Sequence, residues 1–520
     1  MNKKTDVIVI GGGHNGLTTA CLLAKAGKQV TLVEKRESLG GLAAAIEFET
    51  GFRSAGLWHD VGNVSRTTMK ALELEQFVTD EVPPVHALGE GVLATITGPA
   101  DRAAFELAQH IAADGRNYAR YRKFMGRIRP VMERFLTHRP LNVLAIEDEA
   151  PLEVLKSAFG LRMLGGDDMI ELLRVAPMPV VDFLDEYFES DFIKGALSMS
   201  AVLGTFAAPR SPGTTLHLLF PEALAGKYFK GGATALTAEL GQRAADLGVE
   251  ILTGATVKSI LLSKKQVRGV ELVDGTQILA DSVSASCNPK TVLLDLLPVG
   301  ALSYTTERRV SNFRCRGTAA QMLFAVDGPV TFSDGTAEHE LQRVRIAPTA
   351  NHVESAFDAI KYNELSQQPV LDIAVPTLEQ PSLAPAGKSV VSVLVGYVPY
   401  ELDGGWNDTV RGHLTEKVIA TIGRHVRDFD KRLIATKLST PADIETEYGL
   451  PGGSLYHGEP GIDQLIVRPV PECFDHRTPI AGLSLCGSGT HPGGSVSCMA
   501  GSLATRAVLH PRKPVTDAAA

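Results

Sequence analysis

Residues 6–41 read DVIVIGGGHNGLTTACLLAKAGKQVTLVEKRESLGG, and the rest of the chain is organised around them. DVIVI (6–10) and VTLVE (30–34) are short apolar runs, and NGLTTACLLAKA (15–26) between them has helical spacing with small residues on one face. That order is a strand-helix-strand unit of a parallel sheet. Gly11, Gly13 and Gly16, with His14 and Asn15 between the last two, spell G-x-G-x-x-G where strand gives way to helix. Gly11 suits the tight turn, Gly13 admits a pyrophosphate to the backbone, and Gly16 lets helix and strand pack closely. The helix start offers unpaired N–H groups and the positive end of a dipole to that pyrophosphate. Glu34, followed by Lys35, ends the second strand 18 residues beyond Gly16, where a carboxylate accepts from ribose hydroxyls and repels a 2′-phosphate. The motif predicts a dinucleotide site without separating NAD from FAD.

At 520 residues the chain is long enough for two or more lobes. Lys plus Arg is 51 and Asp plus Glu 59, a net charge of −8 that lacks the basic excess needed to bind nucleic acid. The 50 glycines point to repeated close approach of backbone to something. Six scattered cysteines (Cys21, Cys287, Cys315, Cys473, Cys486, Cys498) contain no C-x-x-C, which speaks against a thiol redox pair, a zinc knuckle or a disulfide framework, and no metal site is expected. With no signal-peptide core and no membrane-length apolar run, the expected location is cytoplasmic.

From about 64 to 190 the pattern is helical. Tyr118, Tyr121, Met125, Ile128, Met132 and Phe135 step along one face of 116–135, with Arg116, Arg120, Lys123, Arg127 and Arg134 opposite. Gly231-Gly232 opens a helix, and the following apolar runs predict strands joined by a turn at Asp274-Gly275. Longer strands between about 316 and 400, before a helix at 408–428, suggest a second sheet, mainly antiparallel, in another lobe. The tail GLSLCGSGTHPGGSVSCMAGSLATRAVL (482–509) is strand, glycine-rich loop and helix.

Gly40-Gly41, a few residues after Glu34, favours FAD, because this spacing resembles the N-terminal signature of FAD-binding oxidoreductases. GGHNGL, VEKRE with Gly40-Gly41, KGG-x-x-x-L (230–236), PADIETEYGLPGGSLYHGE (441–459) and LCGSGTHPGGSVS (485–497) together resemble the phytoene desaturase-related FAD oxidoreductases. The branch most resembled contains the pyridine nucleotide-disulfide oxidoreductase domain-containing protein 2 group and the desaturase-like bacterial carotenoid ketolases. The resemblance covers essentially the whole chain. It implies an α/β fold with a discontinuous Rossmann-like FAD-binding domain (1–63, 226–300 and 470–510). An α+β substrate domain (64–225 and 301–469) would be inserted in it, and 511–520 would form a flexible tail. By the same resemblance Gly11, Gly13 and Gly16 hold the pyrophosphate, Glu34 the ribose, and Gly40, Gly41 and Leu42 approach the flavin end. Val257 meets the adenine, while Gly487 and the turn Gly493-Gly494-Ser495-Val496 close over the ribityl chain and isoalloxazine. One departure bears on the pocket beside the flavin: Cys498-Met499-Ala500-Gly501 stands where the family commonly has G-x-x-G.

The implied activity is hydride transfer between a hydrophobic, polyene or isoprenoid-like substrate C–H and flavin N5, in desaturation, oxidation or isomerisation. No cysteine pair is spaced to serve the flavin, and no second dinucleotide motif follows; Gly89-Glu90-Gly91 is an incomplete look-alike. Electrons therefore pass to oxygen or a quinone. His491 in the tail loop is the first candidate for a catalytic group, as proton acceptor or flavin-edge donor, against a loop-orienting role; His59 is the second, as a substrate contact. An amine or alicyclic oxidase releasing hydrogen peroxide is the alternative, and a flavoprotein acting through partner binding the third reading. The basic helix 116–135 either packs with solvated arginines or rests on anionic lipid as a peripheral membrane contact.

Overall fold

The first sheet surrounds the N-terminal strand. In this computed structural model, which describes residues 3–59, 61–97, 100–140, 162–224, 227–465 and 467–510, Lys3–Ile10 runs parallel to Val30–Val33 on one side and to Gln277–Ala285 on the other. The tail read as flexible, 511–520, lies outside the described residues. Ile8 and Val9 are wholly buried, because helices cover both faces of a parallel sheet and demand apolar side chains on each. Glu250–Leu252 extends the sheet beyond Val30–Val33, and Leu483–Leu485 pairs in parallel with Gln277–Ala285. Val257–Ser263 and Gln266–Leu272 complete it antiparallel, turning into Gln277–Ala285 through Asp274-Gly275, where Gly275 has φ +87°. The sheet thus gathers strands from three distant stretches of chain. Helix His14–Lys25 packs against both Gly232–Asp246 and Met499–Leu509.

The second sheet has seven strands in the order Leu433–Ser439, Ala319–Asp327, Lys388–Gly396, Val370–Ala374, Arg343–Ile346, His86–Gly89 and Val92–Thr95. Every pairing is antiparallel except that between Arg343–Ile346 and His86–Gly89. The hairpin at its edge corrects the helical reading of 64–190. Its strands are four residues each, and it is fixed by pairing with a strand some 250 residues away, a contact that no local pattern announces. Gly89-Glu90-Gly91, the incomplete dinucleotide look-alike, forms its turn.

Helix Ala112–Thr137 buries Tyr118, Tyr121, Phe124, Met125, Ile128 and Met132 in the core of the helical lobe. Several of its cations are engaged there. Arg122 pairs with the buried Glu222 at 2.8 Å, Arg127 with Asp168 at 2.7 Å, and Arg120 donates to the Glu186 carbonyl and lies 4.7 Å over the Tyr187 ring. Among the described residues no helix is long and apolar enough to cross a membrane.

Candidate active site

The glycine motif divides its work between packing and access. A Cβ on Gly16 would stand 1.9 Å from the Gly11 carbonyl oxygen, and one on Gly11 would stand 2.4 Å from Ser286 Oγ, so both positions are closed to side chains by the protein itself. A Cβ on Gly13 would meet nothing nearer than Gly41 Cα at 3.9 Å, and Gly13 lines a cavity. Gly13 is also the N-cap of the first helix, whose opening N–H groups have no partner within the helix. Next to this turn Glu34 Oε2 accepts from the Gly12 N–H at 2.6 Å and Oε1 from the Arg36 N–H at 2.9 Å, which fixes a buried carboxylate on the cavity wall.

The same cavity gathers most of the cofactor positions expected from sequence. Gly11, Gly13, His14 and Asn15 line it from the first loop, and Glu34, Lys35, Gly41 and Leu42 from the segment after the second strand. Val257 lines it beside Ala255 and Thr256, and Gly487, Ser495 and Val496 line it from the tail. Gly16 and Gly40 are outside the wall. Gly40 supports the loop, with φ +113° and its N–H donating to the Gly12 carbonyl at 2.8 Å. Gly493 and Gly494 line a second cavity, which shares Trp58, Ser495 and Val496 with the first.

Several cavity residues were not found by sequence reasoning. Tyr448 and His457 lie within the 441–459 run, and the Arg36 guanidinium sits 4.8 Å from the Tyr448 ring, bringing that run against the segment after the second strand. His14 and His457 are half-buried on this wall; desolvation lowers His14 to about 4 and His457 to about 3, so both are neutral near pH 7. His14 Nε2 and His457 Nδ1 are buried without a hydrogen-bond partner. Cys287 also lines this cavity, and burial pushes its thiol up to about 12, so it is no thiolate poised for redox exchange. Orphaned imidazole nitrogens, a helix start and a glycine turn open to the cavity fit a large polar ligand with a pyrophosphate.

The two histidines singled out as catalytic candidates lie elsewhere. His491 lines neither of these cavities: its ring is fully buried, edge-on to Phe135 at 5.0 Å, with Nε2 at 2.7 Å from the Phe135 carbonyl oxygen. Desolvation lowers it to about 3, so it ties the tail loop to helix Ala112–Thr137. His59 lines a smaller, third cavity; Nδ1 is 3.0 Å from Asp372 Oδ1 and Nε2 3.0 Å from Ser392 Oγ. Burial alone would raise the Asp372 carboxyl, but Arg343, Arg345 and His59 carry it well below the usual range. The departure after the tail turn also has a structural expression. Cys498 takes the left-handed conformation at φ +64° as N-cap of the last helix. A Cβ on Gly501 would stand 2.3 Å from the Asn15 carbonyl oxygen.

Comparison with known proteins agrees with this architecture. The description NAD(P)-binding Rossmann-like domain matches residues 9–72. Pyridine nucleotide-disulfide oxidoreductase domain-containing protein 2 of Mus musculus is 30% identical, across 99% of this chain and 94% of its own length. Phytoene desaturase (lycopene-forming) of Pantoea ananas is 26% identical across 96% of this chain and 98% of its own. Cyclohexylamine oxidase from Brevibacterium oxydans, 13% identical, has the same fold with a TM-score of 0.57, covering 97% of this chain and 98% of that one. The chain belongs to the phytoene desaturase-related FAD oxidoreductases, in the family of pyridine nucleotide-disulfide oxidoreductase domain-containing protein 2.

Proposed function

We propose that this protein binds FAD in the first cavity and oxidises a largely hydrophobic substrate held in the second. The reading is carried by one observation: the G-x-G-x-x-G turn and the tail turn line one cavity, and that cavity shares Trp58, Ser495 and Val496 with another whose wall is mostly apolar. The helix start at Gly13, His14 and Asn15 would hold the pyrophosphate, Glu34 the ribose, and Gly41, Leu42, Gly487, Ser495 and Val496 the flavin end. FAD held there would supply a hydride acceptor, with oxygen or a quinone as the proposed final electron acceptor. The chain's own part is positioning and exclusion of water. In the second cavity the wall offers little acid-base chemistry. Both nitrogens of His217 face backbone carbonyls, of Ala201 and Pro460, and Tyr456 donates its hydroxyl to the Leu203 carbonyl. An amine substrate is disfavoured there, because Arg343, Arg345 and Arg468 line that cavity and among the described residues no carboxylate does.

Purified protein is expected to be yellow, and anaerobic reduction of its flavin by members of a panel of hydrophobic compounds, but not by amines, is the decisive measurement. Colourless protein that takes up no added FAD overturns the proposal. Glu34→Arg should lower flavin affinity roughly tenfold or more, since it removes a charged acceptor from the ribose and from two backbone N–H groups. Unchanged flavin content would remove the ribose assignment.

Peripheral contact with anionic lipid through 116–135 would have to compete with the intramolecular partners of Arg120 and Arg127. Charge reversal at these two positions is expected to cost up to about 1 kcal/mol of stability at each. Co-flotation with anionic vesicles should be unaltered, and flotation that disappears in the variant would place this helix on the lipid.

A further inference from the structure

Arg468 is the most unusual charge in the molecule. It is wholly buried and lines the second cavity, directly beneath the tail turn: a Cβ on Gly493 would stand 3.8 Å from its Nη1. All of its hydrogen bonds go to neutral acceptors. Nη2 donates to the carbonyls of Tyr456 at 2.6 Å and Gly458 at 2.9 Å, and Nη1 to that of Glu459 at 3.4 Å. Its Nε–H is buried and has no partner. The adjacent carboxylate, Glu459, is turned to Arg314 and Arg316, at 3.2 and 2.5 Å. Burial lowers the guanidinium only to about 10, so it is charged near pH 7.

A buried cation satisfied only by dipoles carries a desolvation cost that a counter-ion offsets. Among the described residues the cavity wall does not supply that ion. Among the described residues three arginines and no carboxylate line it, and Arg343 and Arg345 both pair with Asp372, which is not in the wall. Away from these cations the wall is mostly apolar, with Leu136, Met199, Leu203, Phe220 and Leu465, and its other polar groups are neutral side chains such as Asn63, Ser200 and Thr205.

We propose that the substrate of this cavity is an amphipathic carboxylic acid, its carboxylate seated against Arg468 and its apolar body extending toward Trp58 and Val496. The proposal rests on the reading of the second cavity as the substrate site and adds the substrate's polar end. It selects isoprenoid or other branched unsaturated acids over the corresponding hydrocarbons and alcohols, because only an anion completes the pairing of the buried guanidinium.

The test is calorimetric titration of the FAD-loaded full-length protein with geranic acid and with geraniol, which differ at the polar end alone. The acid is expected to bind roughly tenfold tighter or more. Arg468→Met should erase that preference and Arg468→Lys retain part of it, with thermal melting to confirm that each variant folds. Equal affinity of the two ligands for the unmodified protein, or no binding of either, overturns the proposal without any variant. So does an Arg468→Met protein that keeps the preference but shows a lower flavin reduction potential, since the counter-ion would then be the reduced cofactor. Should the protein carry no flavin, the cofactor reading fails while the acid-to-alcohol ratio is still measured.

Discussion

Gly13→Ala is expected to fold and melt like the parent protein while losing most of its flavin, whereas Gly16→Ala is expected to lose stability first and flavin as a consequence. The two glycines are three residues apart in one motif, yet their surroundings are opposite. A methyl group on Gly16 would sit 1.9 Å from the Gly11 carbonyl oxygen, so the helix must move off the strand. Overpacking of that kind costs about 3 kcal/mol or more, because neither backbone can give way. At Gly13 the backbone has φ −72° and ψ 172°, which alanine adopts without strain, and the nearest atom to the new Cβ is 3.9 Å away. The methyl would instead project where the pyrophosphate meets the backbone, weakening FAD by roughly tenfold to a hundredfold. Thermal melting alongside flavin absorbance separates the two effects. Equal melting temperatures for both variants would mean that the motif's glycines are not divided in this way.

Acid is expected to destabilise the protein steeply in the range below about pH 6.5, well before its carboxylates titrate. His14, His86 and His476 are lowered to about 4, and His457 and His491 to about 3, in each case chiefly by desolvation. Between those values and the ordinary histidine value the unfolded chain binds protons that the folded chain refuses. Stability therefore rises with pH across that window and falls as pH drops through it, by up to about 1.4 kcal/mol per pH unit for each histidine. Five such groups together lose roughly 7 kcal/mol for one unit, comparable to the whole stability of an ordinary domain. Asp372 acts in a separate, lower window. Its depressed carboxyl stabilises the fold above the ordinary carboxylate range and loses that contribution only as pH falls beneath it. Melting curves from about pH 8 to 5 should be flat at the alkaline end and collapse toward the acid end. A melting temperature constant down to pH 5 would show that these histidines are protonated in place.

The strand-helix-strand unit around the glycine turn is legible in sequence because its signals are local. The glycine turn, Glu34 and Gly40-Gly41 lie within 31 residues, counting from Gly11 to Gly41, and the tail turn is equally compact. Local patterns fail where an element is defined by a distant partner. The hairpin His86–Gly89 and Val92–Thr95 exists because Arg343–Ile346 lies beside it. The histidines illustrate the same limit in chemistry: His491 has the look of a titratable group in a flavin-side loop, but its ring packs against Phe135, a residue 356 positions away in sequence. His457 and Tyr448, within 441–459, give no local sign of lining this cavity, since the contact of Tyr448 with Arg36 is made across the fold. Arg343 and Arg345 did carry a signal, two cations at i and i+2 on one face of an otherwise apolar strand. Arg468 among apolar neighbours carried a weaker one.

The seam between the first helix and the last one sets a timetable for biogenesis. Asn15 Nδ2 donates to Ser488 Oγ at 3.2 Å, the Gly501 N–H donates to Asn15 Oδ1 at 3.2 Å, and Leu483–Leu485 is a strand of the same sheet as Lys3–Ile10. A ribosome presents the N-terminal strand-helix-strand unit first, but the surfaces that complete it emerge only with the final stretch of the polypeptide. Until then the nascent chain exposes an unfinished sheet edge and a half-built dinucleotide cradle, a state that invites chaperone capture and aggregation. A chain truncated before Leu483 is therefore expected to lack the strand and the tail residues Gly487, Ser495 and Val496 that complete the cavity beside the glycine turn.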